Sequence, residues 1–292
     1  MLSFLGVRPI AFAAGLAFAL MALIGGFSTI GAMVSEPEKP TAEHEFHLAP
    51  READFSFNGV TGTFDERQMQ RGFQVFKEVC SACHSLKLVA FRDLQGIGYS
   101  EAEVKAIASQ WAIETPAPNP ETGELATRKN LPSDRFPAPF ANEIAARAAN
   151  NNAVPPDLSL MAKARHHGPE YIYSLLTGYR NQVGFKNKDG QELLREFPEA
   201  KTPAGLHFNP YFPTLNLAMT PPLTSNGQVQ YTDGTAPTVD NMARDVAAFL
   251  TWTAEPKLQV RHQAGWAAAI FLLIFCGLAW GAYQNVWRGV KH

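Results

Sequence analysis

Cysteine is scarce in this chain. There are three, too few for a disulfide-built scaffold, and two of them stand in one short motif. Charge is missing from two long stretches: residues 9–35 and 262–287 contain no Asp, Glu, Lys or Arg. Uncharged apolar runs of that length point to membrane or export segments. A basic excess is missing too. All 27 acidic residues lie between positions 35 and 261, with 22 of the 25 basic ones; the rest are Arg8, Arg288 and Lys291. A mildly acidic domain does not suit nucleic acid, and it can steer a basic protein partner. No internal repeat and no phosphate-binding loop is present.

What is present centres on Cys80-Ser81-Ala82-Cys83-His84. This is C-x-x-C-H, the pattern for covalent haem attachment. Each thiol adds to one haem vinyl group, and the histidine that follows turns its imidazole onto the iron. A bare C-x-x-C also occurs as half a zinc site or as a redox dithiol. A zinc ribbon needs a second ligand pair, and the third cysteine, Cys276, lies in an apolar run. A thioredoxin-like motif needs a βαβ setting, which the pattern lacks. Haem is therefore the favoured reading. It sets the compartment as well, because c-type attachment in bacteria takes place outside the cytoplasm.

Helical periodicity frames the motif. Asp65 caps a helix whose buried face is Met69, Phe73, Phe76 and Val79. Gly72 costs that helix about 1 kcal/mol relative to alanine, so a close helix crossing is expected there. Residues 239–253 form a second amphipathic helix with Met242, Val246, Phe249, Leu250 and Trp252. Phe249 and Trp252 are the expected aromatics of the crossing. Ser100 and Glu103 make a capping box for a helix to about Trp111. Six prolines make residues 112–141 an extended loop. Residues 142–150, 156–165 and 169–177 read as short helices, and 228–231 as the start of a small hairpin before Asp233-Gly234.

A six-coordinate haem needs a second axial ligand. Met69 and Met242 belong to core-facing helix surfaces, and Met161 lies on a short helix. Met219 differs: it sits in Leu217-Ala218-Met219-Thr220-Pro221-Pro222-Leu223, where two prolines restrict the backbone. His44, His47, His166, His167 and His207 read as solvated or hydrogen-bonded histidines. Arg147, among small residues, reads from composition as a surface residue; it can also serve a haem propionate as a bidentate partner.

Taken in order, CSACH, RAANNNAVPPDLS, YIYSLLTGYR, FNPYFP, LAMTPPL, MARDVAAFLTWTAEP and a single C-terminal apolar helix resemble the cytochrome c1 family. That family is the haem subunit of quinol:cytochrome c oxidoreductase, the cytochrome bc1 complex or complex III of the respiratory chain. The resemblance covers about residues 55–290. It implies a mainly α, class I cytochrome c fold with large loop insertions and one covalent haem c. It assigns Cys80 and Cys83 to the thioethers, His84 and Met219 to the axial positions, and Arg147 to a propionate. Tyr179 and residues 151–156 match segments near the haem. Met/His ligation raises the iron potential. Implied partners are cytochrome b, a Rieske iron–sulfur protein that reduces the haem, and a cytochrome c that is reduced by it, within a dimeric complex. One departure is clear: some bacterial members carry a disulfide near the methionine ligand, and this chain has no cysteine pair left for it.

The ends set the topology. Residues 1–34 are either a signal peptide or a retained transmembrane helix. The length of the run and a poor cleavage site around Gly26-Phe27-Ser28 favour retention. Residues 35–262 are the periplasmic haem domain, 263–287 a transmembrane anchor and 288–292 a cytoplasmic tail. As a helix, residues 264–286 are about 34 Å long at roughly 1.5 Å per residue, enough to cross a bilayer. Arg8, Arg288 and Lys291 belong on the cytoplasmic side of a bacterial inner membrane. Two rival readings remain: a free-standing membrane-anchored cytochrome shuttle, and a haem peroxidase with an open distal position.

Overall fold

The computed structural model describes residues 7–35 and 40–290. The chain separates into two compact units, Met1–Glu45 and Phe46–His292. The first is mostly α1 (Val7–Ser35), a helix whose Pro9–Met33 stretch is long and apolar enough to cross a membrane. α2 (Ala42–Phe46) is a single short helix at the unit boundary. Lys291 and the side chain of Arg8, both used above to orient the chain, lie outside the described residues.

The second unit is mainly α with large irregular insertions, as expected. Asp65 caps α3 (Glu66–Val75) by accepting the Arg67 N–H at 2.9 Å. Met69, Phe73 and Phe76 are fully buried. Val79 is only half-buried. The helix widens by one residue over Phe76–Cys80, where the Ser81 N–H donates to Phe76 O at 2.8 Å, and Val79 packs against the edge of the core. A tight 3-10 turn, Phe91–Ile97, follows. Next comes α4 (Glu101–Gln110), whose Ser100–Glu103 capping box is formed as expected.

Residues 112–141 are not wholly loop. They contain an antiparallel hairpin of β1 (Thr115–Pro118) and β2 (Leu125–Arg128). The prolines of β1 sit in an edge strand, where a missing N–H is tolerated. The short helix expected over 142–150 is α5 (Glu143–Ala149), and Asn142 caps it by accepting the Ala145 N–H at 2.9 Å. The helix expected over 156–165 shrinks to α6 (Met161–Ala164), because residues 156–159 are drawn out to pair with residues 84–88. α7 (Gly168–Leu176) and the short α8 (Leu193–Glu196) come next. The second sheet pairs β3 (His207–Phe208) with β4 (Asn216–Leu217). Residues 228–231 form no strand. The Asp233-Gly234 turn closes on itself instead, with the Thr235 N–H donating to Asp233.

α9 (Val239–Ala254) crosses α3 at Gly72. A Cβ on Gly72 would lie 2.0 Å from Asp245 O and 2.7 Å from the Phe249 Cβ, so only glycine admits this approach. Phe249 packs on Phe73 and Phe76, with ring centroids 5.6 and 5.7 Å apart. Trp252 stacks on Phe249 but lies against Gly96, not Gly72. Beside the crossing, Arg71 grips Asp245 through two hydrogen bonds of 2.8 and 3.1 Å and Asp233 through one of 2.7 Å. Burial works against the charge on Arg71, and the two carboxylates outweigh it and raise its pKa.

Three residues, Glu255, Pro256 and Lys257, separate α9 from α10 (Leu258–Trp287). The corner is braced. The Leu258 N–H donates to Glu255 O at 3.1 Å, and Arg261 Nε donates to the Glu255 carboxylate at 2.8 Å. Further along, Trp266 Nε1 donates to Val60 O at 3.2 Å. Beyond its first turns α10 is exposed, and by length and composition it too is a candidate membrane span.

Candidate functional site

The widened turn at the end of α3 delivers the C-x-x-C-H motif. The Cys83 and His84 N–H groups both donate to Cys80 O, at 3.1 and 2.9 Å, which winds the two cysteines and the histidine into one tight turn. Wide turns of this type recur at functional sites. Cys80 is half-buried, Cys83 exposed, and both are free thiols. Burial, and then the neighbouring Cys83, push the Cys80 thiol up to about 12. The reactive form of a redox dithiol is the thiolate, so this environment works against that reading. Among the described residues, no group of three His, Cys, Asp or Glu side chains converges as a metal cage.

His84 Nδ1 lies 2.8 Å from Pro156 O. A carbonyl only accepts, so Nδ1 carries the proton and Nε2 keeps its lone pair. Burial lowers the His84 pKa, against the opposing pull of Pro156 O and Asp157. The neutral, ligating form is therefore favoured. The chain behind this imidazole is stitched across about seventy residues of sequence. Asp157 Oδ2 accepts from Ser85 Oγ and from the Lys87 N–H, both at 2.8 Å. The Leu158 N–H donates to Ser85 O at 2.9 Å, and the Leu88 N–H donates to Ser159 Oγ at 3.0 Å. Pro156 and Asp157 lie inside a motif that was legible, but their hydrogen-bonding roles were not.

Met219 is half-buried in non-helical chain. Leu217 and Leu223, both buried, pin its segment on either side. Tyr179 Oη donates to Met219 O at 3.0 Å, and burial raises the phenol's pKa. The competing methionines are otherwise engaged: Met69 and Met242 are fully buried core, and Met161 packs partly buried against it. His207 lies beside the Tyr179 ring. His166 and His167, both exposed, meet edge to face with ring centroids 4.1 Å apart at the start of α7.

Arg147 is exposed on α5. Its Nη1 donates to Asn152 O at 3.0 Å, while its own carbonyl accepts the Asn152 N–H at 2.9 Å. Asn151 and Asn152 take φ of 50° and 62°, a region asparagine tolerates better than most residues. The three asparagines thus make a tight reversal that leads directly to Pro156. Hydrogen bonds gather Cys80, Cys83, His84 and Pro156 into one group and Met219 with Tyr179 into another, while Arg147 is bonded to Asn152.

The donor chemistry fits a covalently held haem: two uncombined thiols in one turn, an imidazole with Nε2 available, and a thioether on a braced loop. Such a turn at the end of a first helix, crossed by the domain's last helix through a glycine, defines the class I c-type cytochromes. A family model described as the Cytochrome C1 family matches residues 55–290, and the chain belongs to that family. Cytochrome c1 of Rhodospirillum rubrum is 45% identical over 246 residues, covering 82% of this chain and 88% of the relative. The mitochondrial heme protein cytochrome c1-2 of Solanum tuberosum is 43% identical over 234 residues, 80% of this chain and 83% of its own. A longer protein, cytochrome b/c1 of Bradyrhizobium diazoefficiens, is 44% identical over 241 residues, 80% of this chain and 35% of its own.

Proposed function

We propose that this chain is the haem-bearing subunit of a membrane-anchored cytochrome bc1 complex and that it relays single electrons from a Rieske iron–sulfur protein to a cytochrome c. The observation that carries the reading is the carbonyl-held His84 within C-x-x-C-H. When bound, haem c supplies reversible one-electron chemistry at its iron. The protein's own residues do the rest. Cys80 and Cys83 would hold the porphyrin edge through thioethers. His84 would offer Nε2 to the iron, and Pro156 O fixes the ring's tautomer and aim. Met219 would offer a thioether ligand, which favours the reduced state, and Tyr179 holds its backbone. Arg147 would neutralise a propionate. No substrate bond is made or broken by these groups, so the chain is a relay within the oxidoreductase.

The fused relative named cytochrome b/c1 supports cytochrome b as the neighbour in the complex. α10 crosses the membrane with Arg288 on the cytoplasmic side, which puts residues 35–262 in the periplasm. The test is purification of the full chain from detergent-solubilised membranes, followed by acid-acetone extraction. Haem should stay on the protein, and cytochrome b and a Rieske protein should co-purify. Complete extraction overturns the covalent reading. Purification without partners makes the chain a free-standing shuttle. Carbon monoxide binding to the ferrous wild type indicates an open distal position, as in a peroxidase.

A further inference from the structure

Asp157 is the most heavily used side chain behind the C-x-x-C-H turn. Its Oδ2 accepts from Ser85 Oγ and the Lys87 N–H, both at 2.8 Å. Its Oδ1 accepts the Ser159 N–H at 3.0 Å. The carboxylate is half-buried and, among the described residues, forms no ion pair. A partly buried charge is costly unless donors compensate it, and here three donors do. Two of these donors are backbone N–H groups, which cannot reverse their role, and they fall on different oxygens. Both oxygens must therefore accept. A carboxylate meets that demand, whereas an asparagine amide has one accepting oxygen.

The group these bonds fix is the peptide unit that joins Pro156 to Asp157. Peptide units are planar, and proline restricts φ on the other side. Holding Asp157 at two points therefore aims the Pro156 carbonyl, and that carbonyl is the acceptor for His84 Nδ1 at 2.8 Å. Partners of this kind orient a ligating histidine and raise its basicity. We propose that Asp157 is a positioning residue that sets the orientation and donor strength of the His84 imidazole through the Pro156 carbonyl, and thereby tunes the redox potential. This rests on the reading of His84 as an axial ligand. The direction follows. A firmly held Nδ1–H···O bond makes the imidazole a stronger donor and favours ferric iron. Loosening it raises the midpoint potential.

Three variants of the full-length chain, assayed in membranes, test this: Asp157→Ala, Asp157→Asn and Ser85→Ala. The last keeps the charge of Asp157 and removes one bond to it, so it separates positioning from simple loss of a negative charge. The readouts are the low-spin ferric EPR signal, whose largest g-value follows imidazole orientation, and a redox titration. Asp157→Ala should shift the g-value and raise the midpoint, so that a larger fraction is reduced at a fixed poise. Asp157→Asn should partly rescue the g-value, and Ser85→Ala should move both readouts in the same direction by less. If haem content falls while the loaded fraction keeps the wild-type g-value and midpoint, Asp157 is merely structural and the proposal fails. If Asp157→Ala does not mature, unchanged readouts in the other two variants overturn it equally. Wild-type protein that loses its haem to acid acetone defeats the underlying reading. Wild type that keeps its haem, beside variants that match it, defeats only this inference.

Discussion

Gly72→Ala tests the frame on which the C-x-x-C-H turn is mounted. An added Cβ would stand 2.0 Å from Asp245 O, 2.6 Å from Asp245 C and 2.7 Å from the Phe249 Cβ. Favourable contacts between carbons lie at roughly 3.5–4.0 Å, so α3 and α9 must part by about 1–1.5 Å. The obstruction is mainly backbone and cannot swing aside. Parting the helices also loosens the Phe73 and Phe76 contacts with Phe249. A gap of about 1 Å already forfeits roughly half of the dispersion at each contact. Overpacking of this kind typically costs about 1–3 kcal/mol, and a backbone clash belongs at or above the upper end. Alanine returns about 1 kcal/mol of helix propensity. The net expectation is a loss of roughly 2–3 kcal/mol, or about 4–12 °C in Tm for a domain of this size. Near-UV circular dichroism of the full chain during a thermal ramp measures it. Arg67→Ala, on the exposed face of the same helix, is the control and should stay within about 0.5 kcal/mol of wild type. Equal stability of Gly72→Ala and Arg67→Ala would refute the argument from close approach.

Met219→Leu keeps side-chain volume but removes the thioether. The midpoint potential should fall sharply and the ferrous form should bind carbon monoxide, while Met161→Leu should do neither; the reverse pattern moves the ligand to Met161. Asp245→Ala strips the main partner from Arg71, whose side chain is only 16% exposed, and should cost about 3–5 kcal/mol by denaturant titration. Asp233 is held down at about 2 by donation from the Thr235 N–H and then from Arg71, below its ordinary 3.8. Its stabilisation is therefore complete above about pH 4 and is lost as pH falls through 2. The Tm difference between wild type and Asp233→Asn should accordingly be constant at neutral pH and shrink below pH 4. Mass spectrometry of the mature chain should find residue 1 or 2 at its start if the N-terminal helix is retained, and a start near Thr29 would show that it is cleaved.

The sequence was most legible where local chemistry decides the structure. Asp65 and the Ser100–Glu103 pair cap the helices expected of them, because a cap is an interaction within four residues. Gly72 announced a close crossing because glycine within an amphipathic helix is otherwise a cost. Legibility failed where distant partners decide. Residues 156–165 have a helical composition, yet Asp157 spends its oxygens on Ser85, Lys87 and Ser159, and only the last turn winds up. The β1–β2 hairpin was hidden by prolines that an edge strand accepts. The ion pair between Arg71 and Asp245 joins residues far apart in the chain and leaves no trace in periodicity. C-x-x-C-H was plain at the outset. The carbonyl that fixes His84 could be located only once the fold had brought residue 156 beside residue 84.

The three-residue corner between α9 and α10 has a mechanical meaning. The C-x-x-C-H turn ends α3, α3 is locked to α9 at Gly72, and α9 passes into α10 through a linker that contains a proline and is clasped by Glu255. Motion at one end of this train has little slack to absorb it. With α10 fixed in a bilayer, the electron-carrying centre keeps a set height and tilt above the lipid surface. The domain is then a stationary post, not a tethered float.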